Sequence, residues 1–257
     1  MIRNCPAWGA ILLALTLSGC AGLMTYNPAT GRNEFIAIST SSEVAMGKEI
    51  HSQLSRQYKL STDQTRLERV NRIGQRLARI SDRQDFAYHF YLIEKDEMNA
   101  FTTPGGNIYF YSGLLNKLSS DDEIAAVLAH EIGHCAAKHT VKKYQAAMGY
   151  DLIGNILFSA IGVDDQVRQV ATMGTNQLMN LVFSAYGRQD EFQADQLGLK
   201  YMNLAGYKLE AMIETFEVLK KESKGPRVPL ILRSHPYLDD RISMVRQEIA
   251  RIKGGGV

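Results

Sequence analysis

Two histidines four residues apart flank a glutamate in the run His130-Glu131-Ile132-Gly133-His134. On a helix, residues i and i+4 share a face, so both imidazoles can reach one tetrahedral zinc. Glu131 stands one step round that face, where a carboxylate can take a proton from a water that the metal has acidified. The same five residues could equally place two surface histidines on an ordinary helix, and the motif alone does not choose between these readings.

The helix that must carry them is legible. Ser120 and Glu123 have the spacing of a capping box, and Asp121, Asp122 and Glu123 put negative charge at the positive end of the helix dipole. Ile124, Val127, Leu128, Ile132, Cys135 and Ala136 recur at helical spacing, so the histidines lie beside an apolar stripe. Cys135 reads as a small core residue. A catalytic zinc takes three protein ligands and leaves its fourth position to water. Thr140 stands where a histidine six residues beyond His134 would be needed. His139 falls roughly 140° further round a continuous helix, at about 100° per residue, and so points elsewhere, as a surface or second-layer histidine. A better source is the segment Tyr186 to Asp195, on a helix expected to run to Ala205-Gly206. Glu191 and Asp195 are i,i+4 there; one can bind the metal while the other accepts the free ring N–H of a ligating histidine. The alternative for this pair is a solvated acidic face.

Taken together the motifs resemble those of the gluzincin metallopeptidase family that includes HtpX, the CAAX prenyl proteases and the mitochondrial Oma-type proteases. Besides H-E-I-G-H and the R-x-x-E-x-x-A-D setting of Glu191, the segment Asn99-Ala100-Phe101-Thr102-Thr103-Pro104-Gly105-Gly106 resembles the family's N-A-F-x-x-P-G-G. Ser234-His235-Pro236 with Arg241 resembles its late S-H-P…R element. Tyr26 to Arg32 and Glu43 to Gly47 resemble early segments of its bacterial lipoprotein branch, so the likeness covers most of the chain after residue 25. It implies an α+β fold, a mainly helical zincin-like metalloprotease domain around a small β-sheet, holding one Zn2+ per chain. It further implies His130, His134 and Glu191 as zinc ligands, Glu131 as general base, and Asp195 as the carboxylate behind a ligand. His235 is implied to stabilise the oxyanion or contact substrate, against the plainer reading that it only precedes a proline opening the last helix. Arg188 and Arg241 either pair with these carboxylates or lie on the surface.

Strands are expected over Phe86–Ile93, Met98–Thr102 and Asn107–Tyr111, with Pro104-Gly105-Gly106 as a turn. An edge strand beside the metal could align an extended peptide through main-chain hydrogen bonds, which makes Asn99, Ala100 and Phe101 candidate substrate-binding residues and protein or peptide chains the expected substrates. Helices are expected over Ser42–Leu60, Thr62–Ile80, Tyr207–Lys220 and Pro236–Ile252. The apolar segment Tyr150–Met179 is broken by Asp151, Asp164, Asp165 and Arg168, so it reads as amphipathic helices that could cover the cleft and not as a membrane span.

The N-terminus carries an address. Arg3 precedes an apolar run from Ala7 to Leu17, too short to span a bilayer and of the kind found in signal peptides. Leu17-Ser18-Gly19-Cys20 resembles the bacterial lipobox, whose cysteine is acylated. The expected organisation is a lipoprotein signal peptide over 1–19, a lipidated tether over 20–42 and a zinc metallopeptidase domain over 43–257. The membrane is reached through lipid on Cys20, in the bacterial envelope, with Ala21 favouring the outer membrane facing the periplasm. Lys and Arg number 29 against 27 acids, a balance that offers no basic stripe for nucleic acid. Two other classes compete with a peptidase: a chaperone-like protein holding unfolded clients in the same groove, and a zinc hydrolase acting on a non-peptide bond.

Overall fold

The computed structural model describes residues 24–148, 170, 173–225 and 228–255. The expected signal peptide, Cys20 and most of the 150–179 segment lie outside them. Strands β1 (Met24–Asn27) and β2 (Arg32–Phe35) pair antiparallel across a turn in which Gly31 takes φ +65°. This stretch is expected above as tether, yet it is docked. Lys142 donates to Glu34 at 2.8 Å, the Ala37 N–H donates to Gln145 at 2.7 Å, and Ile36 and Ile38 are buried.

Helices α1 (Thr40–Gln57) and α2 (Gln64–Ala78) follow, each started by a side-chain cap, Ser39 on the Ser42 N–H and Asp63 on the Arg66 N–H. Strands β3 (His89–Ile93), β4 (Ala100–Thr103) and β5 (Asn107–Tyr111) form a sheet in the order β3-β5-β4, with β3 parallel and β4 antiparallel to β5. β5 is buried along its whole length, and its side chains alternate between two cores. Ile108 and Phe110 enter the larger one; Tyr109 and Tyr111 enter a smaller one with α1.

A buried ion pair locks the sheet to α1. Glu43 accepts from Arg83 at 2.6 Å and from the Gly105 N–H at 3.2 Å, while Arg83 also reaches the Cys135 carbonyl at 3.3 Å. Gly47 lets α1 close on the Pro104–Gly106 turn, since a Cβ there would stand 2.1 Å from the Pro104 oxygen. The early Glu43…Gly47 segment is thus a packing device.

After a short α3 (Ser112–Leu115) comes α4 (Asp121–Ala136), capped by Ser120 and Glu123 in the expected box. Ile124, Leu128 and Ile132 have no exposure, and each such side chain contributes about 1.5–3 kcal/mol by burial. α4 is buried on nearly every side, which the single stripe understates. Its partners are α2, α7 (Arg188–Ala205) and α8 (Glu210–Ser223), with α5 (His139–Ala147) and α6 (Thr175–Val182) beyond its end. α9 (Ile231–Ser234) and α10 (Leu238–Lys253) complete the chain, and Gly206 stops α7 in the left-handed region at φ +75°. Two glycines set how closely α4 and α7 approach. A Cβ on Gly133 would lie 2.6 Å from the Ala194 oxygen, and one on Gly198 would lie 3.2 Å from the His130 nitrogen. The protein is a mainly helical α+β domain, and no described helix is long and apolar enough to cross a membrane.

Candidate metal centre

The close approach of α4 and α7 brings His130 and His134 against Glu191, and the short turn before α10 adds His235. Donor atoms of these four buried residues lie within 4.8 Å of one another, and among the described residues no other such group gathers. The Nε2 atoms of His130 and His134 are 3.1 Å apart. Glu191 presents Oε2 at 3.6 Å from His130 Nε2 and Oε1 at 3.4 Å from His134 Nε2.

Three features suit a divalent cation. Two imidazoles and a carboxylate are the donor types of a catalytic zinc. Both Glu131 oxygens, Glu191 Oε2 and His235 Nε2 are buried without hydrogen-bond partners, an arrangement that is costly unless something else occupies the space between them. Arg241 stands 2.7 Å from Glu191 Oε2, but as an ion pair whose geometry falls short of a hydrogen bond, so that oxygen keeps a free lone pair.

Behind the cluster, His130 Nδ1 meets Asp195 Oδ1 at 2.8 Å, and Arg241 grips both Asp195 oxygens at 2.7 and 2.8 Å. Burial disfavours charge on Asp195 and Glu191, yet nearby cations outweigh it. Arg241 and the His130 ring hold Asp195 low, and His235 with Arg241 holds Glu191 well below the carboxylate range. His134 is fully enclosed, and burial keeps it well below the ordinary histidine value. His235 goes the other way: burial opposes its charge, but Glu191 and Glu131 overcome that and raise it. Its Nδ1 is 3.0 Å from Glu191 and its Nε2 is 3.5 Å from Glu131. An apolar pit lined by Val127, Met212, Phe216, Leu219 and Ile231 opens beside Glu131 and His235.

The structure therefore gathers His130, Glu131, His134, Glu191, Asp195 and His235 in one place. Asn99, Ala100 and Phe101 are not among them. Their side chains are buried in the sheet, β4 is an edge strand, and Phe101 meets Phe183 at 5.2 Å between ring centroids. Of the two arginines left open, Arg241 pairs with the carboxylates, whereas Arg188 pairs with Asp240 at the surface. His139 corrects the helical argument made for it. α4 ends at Ala136, Lys138 turns left-handed at φ +57°, and His139 starts α5 with Nδ1 only 3.0 Å from His134 Nδ1. Tyr186 was not singled out by sequence; its ring stacks on His134 at 4.0 Å, with Lys143 at 4.1 Å from its centre.

Comparison with known proteins agrees with this arrangement. Residues 64–249 match peptidase family M48. The chain is 27% identical over 233 residues to the beta-barrel assembly-enhancing protease of Escherichia coli (strain K12), covering 88% of this chain and 47% of that protein. It is 26% identical over 233 residues to the protein of the same name from Yersinia pestis, covering 88% and 48%. With the mitochondrial metalloendopeptidase OMA1 of Saccharomyces cerevisiae it shares 31% identity over 157 residues, covering 56% and 41%. The chain spans about half the length of the curated relatives it matches. The family match spans most of the sequence and includes every residue of the buried donor cluster, so this chain belongs to peptidase family M48.

Proposed function

We propose that this protein is a zinc-dependent endopeptidase of the bacterial cell envelope that cuts misfolded or misassembled proteins. The observation that carries this reading is the convergence of His130, His134 and Glu191, with an unpartnered Glu131 carboxylate alongside. His130 and His134 would hold zinc through Nε2 and Glu191 through its carboxylate. Zinc held there supplies Lewis acidity, lowering the pKa of a bound water towards about 7 and polarising the scissile carbonyl.

Glu131 is free to accept the proton of the attacking water and then to pass it to the leaving amine. Asp195 keeps the His130 proton on Nδ1 and so leaves Nε2 for the metal. His235, with raised proton affinity and no partner at Nε2, can donate to the oxyanion. Asn99, Ala100 and Phe101 are buried, main chain included, so the peptide-aligning role expected of β4 finds no exposed backbone there.

Replacing Glu131 with glutamine tests the reading against a pure holdase. Zinc content and fold should persist while peptide hydrolysis falls about 10²–10⁴-fold, the range general acid–base groups supply. Hydrolysis at the wild-type rate would remove Glu131 from the mechanism.

The N-terminal 19 residues act as a lipoprotein signal, and acylation of Cys20 anchors the protein, in this reading at the outer membrane facing the periplasm. The bacterial relatives' name, a protease that enhances β-barrel assembly, accords with clients in that compartment. Radiolabelled palmitate entering wild type but not Cys20→Ala is the expected result; equal labelling would refute the assignment.

A further inference from the structure

The two imidazoles of the motif are each held at the nitrogen turned away from the donor cluster, and by different partners. His130 Nδ1 meets Asp195, as the spacing of Glu191 and Asp195 suggests. Nothing in the sequence pattern provides for His134. In the fold its Nδ1 lies 3.0 Å from His139 Nδ1, and the other nitrogen of His139, Nε2, lies 3.0 Å from Gln193 Oε1. His139 is buried, and the left-handed turn at Lys138 is what swings it back against the motif.

We propose that His139 is a positioning residue that fixes the tautomer and ring orientation of His134 for metal binding, with Gln193 fixing His139 in turn. This rests on the reading of His134 as a zinc ligand. The protons can be placed in one consistent order. A histidine that gives its Nε2 lone pair to a metal carries its proton on Nδ1. The His134 Nδ1–H then donates to His139 Nδ1, which must be bare. Neutral His139 therefore carries its proton on Nε2 and donates it to the Gln193 oxygen. Every donor in the chain meets an acceptor.

The acceptors at the far end give the chain its direction: Asp190 can only accept, and the Gln193 amide turns its oxygen to the same nitrogen. A donor in place of the Gln193 oxygen would reverse His139 and set two N–H groups against each other at 3.0 Å. Asp190 Oδ1, 3.5 Å from His139 Nε2, favours the same tautomer. Tyr186 stacked on His134 stops the ring from tilting away.

Two substitutions of nearly equal size separate positioning from packing. His139→Leu removes the acceptor, whereas His139→Asn places an amide oxygen close to where Nδ1 stands. Zinc affinity of the full chain in detergent, measured by competition with a chelating dye, should fall roughly 10–100-fold in His139→Leu and recover most of that loss in His139→Asn. The visible spectrum of cobalt-substituted protein should shift in the leucine variant and return in the asparagine variant. Gln193→Leu, which touches none of the proposed ligands, should weaken zinc in the same direction by a smaller factor.

Equal zinc affinity in wild type and His139→Leu would overturn the proposal, and equal losses in the leucine and asparagine variants would assign His139 to packing. Should His139→Leu fail to fold, unchanged affinity in Gln193→Leu overturns it. His134→Ala keeps the two readings apart. Zinc retained in that variant sinks the ligand assignment itself. Zinc lost there but kept by His139→Leu sinks only the positioning role.

Discussion

His130 and His134 are one residue type four positions apart on one helix, and the fold supports them by unlike means. Behind His130 stand a carboxylate and a guanidinium, Asp195 and Arg241, within 2.8 Å of one another. Behind His134 stand a second imidazole and an amide, His139 and Gln193. Charge explains why the two need to differ. With the ion bound and the histidines neutral, the charged groups of the cluster are the carboxylates of Glu131, Glu191 and Asp195 and the Arg241 guanidinium, a surplus of two negative charges; without the ion, a proton on His235 offsets part of it. One zinc ion balances that surplus. A second buried carboxylate behind His134 would add negative charge to a cluster that zinc already balances, and buried charges cost several kcal/mol each. The neutral support orients its ligand without disturbing the balance.

The largest expected effect comes from breaking the ionic support at its cation. Arg241→Ala leaves Asp195 and Glu191 buried without their guanidinium, and stability of the zinc-free protein should fall by about 3–5 kcal/mol in denaturant melts. Arg188→Ala, which breaks an exposed pair with Asp240, is the comparator and should cost about 1 kcal/mol or less. Equal losses would mean that Arg241 does not carry the charge balance.

His235 lies across the cluster from both supports and should behave unlike either. His235→Ala is expected to keep zinc and lower kcat by about 10²–10³. Zinc loss in that variant would place His235 with the residues that hold the metal, and a raised kcat would mean that it competes with water for the fourth position.

Within the ionic support, Asp195→Asn keeps the shape and removes the charge. Zinc affinity should drop roughly 10–100-fold, more than in Gln193→Leu, because a carboxylate also makes its histidine a better ligand. The reverse order, read by the same chelator competition, would contradict the contrast drawn between the two supports.

Acid should give the smallest difference, visible in zinc-free protein. His134 and His139 are held below the ordinary histidine value, chiefly by burial, so the folded state refuses protons that the unfolded chain takes up. Their effect is absent well above pH 6.5, and their contribution to stability declines as pH falls below about that value, against an opposite contribution from His235, whose folded value is raised. Asp195 has its folded value depressed, so its contribution is complete above about pH 4 and is lost as pH falls further through the folded value. His139→Asn should shrink the first decline and leave the second. An unchanged profile between pH 7 and 5 would mean that His139 is not kept neutral by the fold.

Much of this was readable from residues alone, and the divide is physical. The capping box, the i,i+4 pairs and the strand at Asn107–Tyr111 are written in local spacing, which backbone geometry converts directly into shared faces. His139 fits the second-layer alternative, but the direction expected of it fails because that conversion assumes a continuous helix. The break depends on Lys138 adopting a left-handed backbone, with no glycine or asparagine to announce it. The hairpin at 24–35 is held by Gln145 and Lys142, more than a hundred residues away, and no local pattern encodes such a partner. Arg241 could be assigned to neither surface nor site, since only tertiary packing brings α10 to Asp195.

The backbone contact of Gly133 with Ala194 has a consequence for when such a protein becomes dangerous. Its donor groups ride on helices in the centre of the main core, so the centre and the core assemble as one cooperative unit. Amide hydrogens of the 130–134 turn should exchange with solvent only when the whole domain opens. A newly made copy, still unfolded, has its histidines far from Glu191 and so lacks the assembled donor cluster. If the proposed activity holds, its onset and the completion of folding are a single event, and neighbouring unfolded chains are spared without any separate inhibitor.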